Sequence, residues 1–256
     1  MEEIRELRLT VERHETLRLR CASFVGLYRQ WFSRQPEKAM LPRPGDMLRR
    51  PEIITAIDQP DDVEIGNDVL APFRERFPEW AQEWRDSCEQ QLRAIVLASP
   101  EFNNKLPAGV DPLSLAAVAF DCKVCCRYAT NDRLIPPLPP KTLAHDCLTD
   151  LCDIWSSKDP VERAIRAAAP HAHDAEMSYA PWSAKSLSVG VWSKRACEII
   201  RAAGKDPVSA TREEMDALEV RFWCKTCQED CQEEKRQVMK WRDAVSAQCP
   251  ARSSRC

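Results

Sequence analysis

One hexapeptide pattern, F-x-C-K-[VT]-C, occurs twice in this chain. It reads Phe120-Asp-Cys122-Lys-Val-Cys125 and again Phe222-Trp-Cys224-Lys-Thr-Cys227. Two thiols three positions apart can grip one metal ion, because the turn between them aims both sulfurs at one point. In an extended segment the Phe lies on the same face as the first Cys, two residues later, and can pack beneath such a knuckle. Two knuckles make Zn2+ the first expectation, as one or two structural ions.

The setting of the cysteines supports metal over disulfide. There are thirteen in 256 residues, an odd number that cannot pair fully within one chain. The first residues, Met-Glu-Glu-Ile-Arg-Glu-Leu-Arg, are too charged for a secretory signal. No apolar run is long enough to span a bilayer. These features predict an intracellular protein, cytoplasmic or nuclear, where disulfide frameworks are rare. Charged residues make up 30% of the chain, yet the net charge is only −3, which gives no general attraction to nucleic acid.

Glycine is scarce at 6 residues and proline plentiful at 19, a balance that favours short helices separated by proline turns. The expected fold is mainly α: an irregular multi-helix protein with one or two small zinc-knuckle segments and minor β. Apolar residues at helical spacing (Ile4, Leu7, Val11, Leu17, Cys21, Phe24, Val25 and Tyr28) predict one long helix in segment 1–34. At ~1.5 Å per residue it spans roughly 50 Å, with a polar first half and an aromatic second half.

Segment 35–110 is a helical region with Pro-rich connectors. Leu41-Pro-Arg-Pro-Gly-Asp reads as an extended connector and Pro51 as the start of a helix through Ile57. Asp68 reads as the cap of another short helix, and Pro78 as the first turn of a helix over 78–98. Segment 111–157 holds the first knuckle, with a helix from Asp111-Pro112 leading into it. It also contains the polyproline-like span Ile135–Pro140, read as a stiff loop rather than as a peptide ligand. Segment 158–210 is helical, over 160–169 and 184–203, with Gly204 as a helix stop. Segment 211–256 opens on a capping box, Thr211-Arg-Glu-Glu214, and carries the second knuckle and the tail.

Zinc in a structural site takes four ligands. For the first site, Cys122 and Cys125 are completed by His145 and Cys147, which sit two apart and can face one side of an extended segment. Cys126 is a rival that points away from its neighbour, and Cys152 fits a buried helix position. For the second site the candidates are Cys224, Cys227, Cys231 and Cys249, an all-thiolate set without a nearby His. His171 and His173 read as solvated loop residues. No phosphate loop, G-x-S-x-G or H-E-x-x-H pattern is present, and no βαβ pattern surrounds either C-x-x-C for thioredoxin-type chemistry.

The order of motifs resembles a known group. It runs through Leu27-Tyr-Arg-Gln-Trp31, Leu41-Pro-Arg-Pro-Gly-Asp, Phe77-Pro-Glu-Trp-Ala-Gln-Glu-Trp-Arg85 and Phe120-x-Cys122-x2-Cys125. Leu143-Ala-His145-x-Cys147 follows, then Phe222-x-Cys224-x2-Cys227 and Gln237-Val-Met-Lys-Trp241-Arg-Asp-Ala244. In this order the chain resembles the C-terminal region of F-box-like proteins of mushroom-forming fungi. Two departures stand out. Nothing in residues 1–33 matches an F-box. The family carries a His six residues after the tryptophan that Trp241 matches, where this chain has Ala247, with Cys249 two residues on.

The resemblance implies a substrate-recruiting or scaffolding role in ubiquitin-ligase biology, with the knuckles as staples and a cullin-ligase adaptor as the family's partner. The expectation is therefore a non-enzymatic, zinc-binding protein-interaction module with no membrane association. The alternative is a zinc-dependent nucleic-acid binder using the local cluster Lys225, Lys235, Arg236, Lys240 and Arg242, which acidic Glu229, Asp230, Glu233 and Glu234 interrupt.

Overall fold

The computed structural model describes residues 2–128, 138–145, 147–148, 158–168, 179–223 and 238–246. It is mainly helical, as expected, with a single two-stranded sheet among the described residues. The chain divides into two compact units, each built from two separate stretches: 1–88 with 148–185, and 89–147 with 186–256.

In the first unit the long helix Glu2–Phe32 sets the core. Leu17, Cys21, Phe24, Val25 and Tyr28 repeat on one stripe and are buried. Phe77 completes an aromatic cluster against them. Its ring centroid lies 5.8 Å from Phe24, 5.3 Å from Tyr28, 5.6 Å from Trp31 and 6.0 Å from Trp80. The helix Pro160–Ala167 packs along the same long helix. Its start is fixed by Asp159, whose carboxylate accepts the Val161 N–H at 2.8 Å. The first turns of the long helix carry Ile4, Leu7 and Val11 with 70%, 67% and 61% of their surface exposed, so only the second half contributes to the core.

Two arginines on the long helix organise the loop that follows the helix Pro51–Ile57. Arg20 is only 5% exposed. It donates to the carbonyls of Ile57, Gln59, Pro60 and Val63 at 2.6–2.9 Å. A buried guanidinium is tolerated when its donors are satisfied in this way. Two turns away, Arg13 pairs with Asp58 and Asp61.

The connector around Pro44 departs from expectation. It is extended only up to Arg43, and Pro44–Leu48 is a short helix with Pro at its first position. Asp46 holds its start by accepting the Arg43 N–H at 2.9 Å and reaches the Trp182 N–H at 2.7 Å. Gly45 is required here, because a Cβ would collide with the backbone of Tyr179. The cap expected at Asp68 also falls elsewhere. Gly66 precedes the turn Asn67–Leu70, and a 3-10 segment, Ala71–Arg76, runs straight into the helix Phe77–Ala98.

In the second unit the helix expected from Pro112 shrinks to a 3-10 turn, Pro112–Ser114, capped by Asp111. The reason is burial. Residues Leu115, Ala116, Ala117, Val118, Ala119 and Phe120 are all fully buried, and such an unbroken run suits extended chain. Strand β1, Phe120–Cys122, pairs antiparallel with β2, Leu187–Val189, in the register Phe120 with Val189 and Cys122 with Leu187. The helix expected over 184–203 therefore begins only at Val191 and runs to Ala202. Its end at Gly204, with φ +74°, is as the sequence implied.

The capping box at Thr211 forms as expected and starts the helix Arg212–Ala217. The β-branched and aromatic run Val220–Trp223 reads as a strand, but there only a bridge between Phe222 and Met239 forms, followed by the helix Trp241–Ser246, which packs on Val191–Ala202. The sequence also implies a helix over 149–156, a span that lies outside the described residues.

Phe77 is the keystone of the first unit. Phe77→Ala is expected to lower unfolding free energy by about 3–5 kcal/mol in urea denaturation. Glu12→Ala, on the exposed face of the long helix, should change it by less than about 0.5 kcal/mol.

Candidate metal centre

The centre lies wholly in the second unit and is built from β1 outwards. Phe120 and Cys122 face the interior and Asp121 faces away, the alternation a strand requires. Phe120 is fully buried and Cys122 is 3% exposed, so the two share the buried face of the strand. The chain then turns at once into a helix, Lys123–Tyr128. That turn brings the Cys125 N–H to 3.5 Å from Cys122 Sγ, a backbone donor aimed at the first sulfur.

The second pair arrives from a 3-10 turn, Lys141–Ala144, that ends at His145 in extended conformation. The turn is anchored by buried Thr142 and Leu143. Its exit is fixed by the His145 N–H, which donates to the Thr142 carbonyl at 3.1 Å. His145 Nε2 then stands 3.3 Å from Cys125 Sγ, and Cys147 Sγ stands 3.5 Å from it. All four donor atoms of Cys122, Cys125, His145 and Cys147 lie within 4.8 Å of one another.

These separations fit a single ion. Metal–sulfur bonds of ~2.3 Å and metal–nitrogen bonds of ~2.0 Å in a tetrahedron place neighbouring donors about 3.5–3.8 Å apart. The electrostatics agree. Burial pushes the Cys125 thiol up to about 12, reinforced by its hydrogen bond with Cys147 and by the charge of Cys122. Three thiolates gathered this closely repel one another, and a divalent cation at their centre is what allows all three to ionise.

Sequence reasoning found the four donors but missed what holds them. Ser186 serves both halves: its carbonyl accepts the Lys123 N–H at 2.9 Å and its hydroxyl lies 3.5 Å from the Cys147 carbonyl. Asp121 reaches from the outer face of β1 to the start of Val191–Ala202. There its carboxylate accepts the Val191 N–H at 2.8 Å and the Trp192 N–H at 3.3 Å. Gly190 makes room for this, since a Cβ there would strike the Asp121 carboxylate. Ser193, fully buried, donates to the Ala119 carbonyl and accepts the Ala119 N–H at 2.8 and 2.9 Å. Only the acidic residue inside the motif could have signalled any of this.

Cys224, Cys227, Cys231 and Cys249, with His171 and His173, lie outside the described residues, as does the side chain of Cys126. The approach to the second knuckle is described. Asp216 accepts the Trp241 indole N–H at 2.8 Å and takes both Arg242 donors at 2.8 and 2.6 Å. The Arg242 bond holds the Asp216 carboxyl below its ordinary range. No helix among the described residues is long and apolar enough to cross a membrane. No family model, curated protein or solved structure matches this chain.

If these four residues ligate a metal, Cys122→Ser should cost far more stability than Cys88→Ser, although both thiols are buried. The gap should close once a strong chelator is present. In the cobalt(II)-substituted protein, Cys147→Ser should remove about a third of the thiolate-to-metal absorption, one sulfur of three. An unchanged spectrum would show that Cys147 is not a ligand.

Proposed function

We propose that this chain is a non-enzymatic protein-interaction module stapled by a structural zinc ion, serving as a recruiting or scaffolding part in a ubiquitin-ligase context. The observation that carries the reading is the four-donor cluster of Cys122, Cys125, His145 and Cys147. Three thiolates and one imidazole suit zinc better than the hard, oxygen-seeking cations. Four protein donors close a tetrahedron and leave no position for a substrate or an activated water, which is the mark of a structural rather than a catalytic ion. The staple joins β1 to a turn about twenty residues on, and in such sites metal-binding energy is folding energy.

The ligase context rests on the resemblance to fungal F-box-like proteins and remains the part to be tested in cells. On the nucleic-acid alternative, Arg242 is committed within the fold, paired with Asp216 and lying 4.7 Å from the Trp241 ring centre. That leaves less of the basic cluster for phosphate.

Purified protein should contain one zinc per chain by elemental analysis, and a second if the distal cysteines also bind. A fully folded, metal-free preparation would overturn the staple. Affinity purification from the source cell should recover a protein partner, and recovery of a cullin adaptor would support the ligase context. A salt-sensitive shift of generic DNA in a gel would instead favour the nucleic-acid alternative.

A further inference from the structure

A cavity of about 140 Å³ opens in the second unit beside the metal-bearing segment. Leu92, Leu113, Pro139 and Leu143 give it apolar walls, and Arg93 and Arg212 give it two guanidinium groups. Pro139 is buried here and Pro140 is exposed, and both line the cavity. At this size it falls below the ~300 Å³ of small-molecule sites and suits one side chain.

The two arginines differ. Arg93 is fully engaged: it pairs with Asp111 at 2.9 Å and with Glu89 at 3.0 Å. Arg212 is half-buried and, among the described residues, makes one long hydrogen bond, 3.4 Å to the Leu115 carbonyl, and no ion pair. Burial pulls its guanidinium below the ordinary range; the charges of Glu213, Asp111 and Asp216 oppose that shift and the charge of Arg242 adds to it. A guanidinium carries five N–H donors in a planar fork that matches a carboxylate. Its unpaired nitrogens are not sealed from solvent, so an incoming anion can reach the fork and take those donors.

We infer that this cavity is an anchor for a glutamate side chain of a partner protein, with Arg212 as the carboxylate receptor. The inference rests on the protein-interaction reading above and names the chemistry of the partner. The apolar walls match the methylene groups of glutamate. The Glu89 and Asp111 carboxylates at the rim oppose a dianion more strongly than a monoanion, which favours a carboxylate over a phosphate. Leu143 lies two residues before His145, so a metal at the centre fixes one wall of the anchor.

The probes are N-acetylglutamate and its neutral analogue N-acetylglutamine, titrated separately into isotope-labelled full-length protein as purified and followed by NMR. Glutamate should shift resonances of Leu113, Leu143 and Arg212, with affinity at least tenfold above that of glutamine. Arg212→Gln should abolish that preference and Arg212→Lys should retain part of it. Equal binding of the two probes to the wild type, or shifts confined to other surfaces, would overturn the anchor, whatever the variants do. Metal content measured on the same samples separates the two readings. Glutamate preference in zinc-free protein keeps the anchor and removes the staple; zinc without preference does the reverse.

Discussion

The second unit depends on one closure, the meeting of Cys122 and Cys125 with His145 and Cys147. The segment that delivers the latter pair is short. It is a four-residue 3-10 turn, Lys141–Ala144, preceded by prolines. Its buried side chains are few, chiefly Pro139, Thr142 and Leu143. A turn of that length cannot bury enough apolar surface to offset the entropy of fixing its backbone. Ligation changes the balance, since a metal of the proposed kind binds only when both pairs are in place. Ser186 extends the closure to β2, and Asp121 extends it to the helix Val191–Ala202. Strand, turn and helix therefore share one constraint.

The first unit is held differently. Its long helix brings a continuous buried stripe, and Phe77 stacks edge-on against three aromatic residues of that stripe. Where polar groups enter this core they are answered by backbone, as Arg20 is by four carbonyls. Packing and hydrogen bonding do there what ligation is proposed to do in the second unit.

How much of this was legible depends on whether the signal is local. The helices Glu2–Phe32, Pro51–Ile57 and Phe77–Ala98 follow from periodicity and from Pro at helix starts, and Thr211 and Gly204 act as cap and stop. The failures have non-local causes. Leu187-Ser-Val189 carries a helical pattern with its neighbours, but pairing with Phe120–Cys122 forces it into a strand. The run after Pro112 has good helix formers, yet it is buried all round and its chain turns once, between Leu115 and Val118, before the strand instead of coiling into a helix. The four donors were readable because cysteine and histidine spacing is chemistry written into sequence. Their supports at Ser186, Asp121 and Ser193 were not, since a lone Ser or Asp has no pattern until the fold supplies its partner.

The two copies of F-x-C-K-[VT]-C show how far a motif determines a site. In each, the Phe pairs with a residue two positions before a helix: Phe120 with Val189 before Val191, and Phe222 with Met239 before Trp241. The two helices pack on each other. The residue after the Phe, however, works differently. Asp121 caps the following helix of its copy, whereas Trp223 is 58% exposed and the helix of the second copy is held by Asp216 on a separate element. The hexapeptide thus encodes a local template, a bridge at the Phe that leads into a knuckle. Whether a template becomes a metal site depends on residues outside it. In the first copy a turn preceded by prolines delivers an imidazole and a thiol to within hydrogen-bonding distance of Cys125.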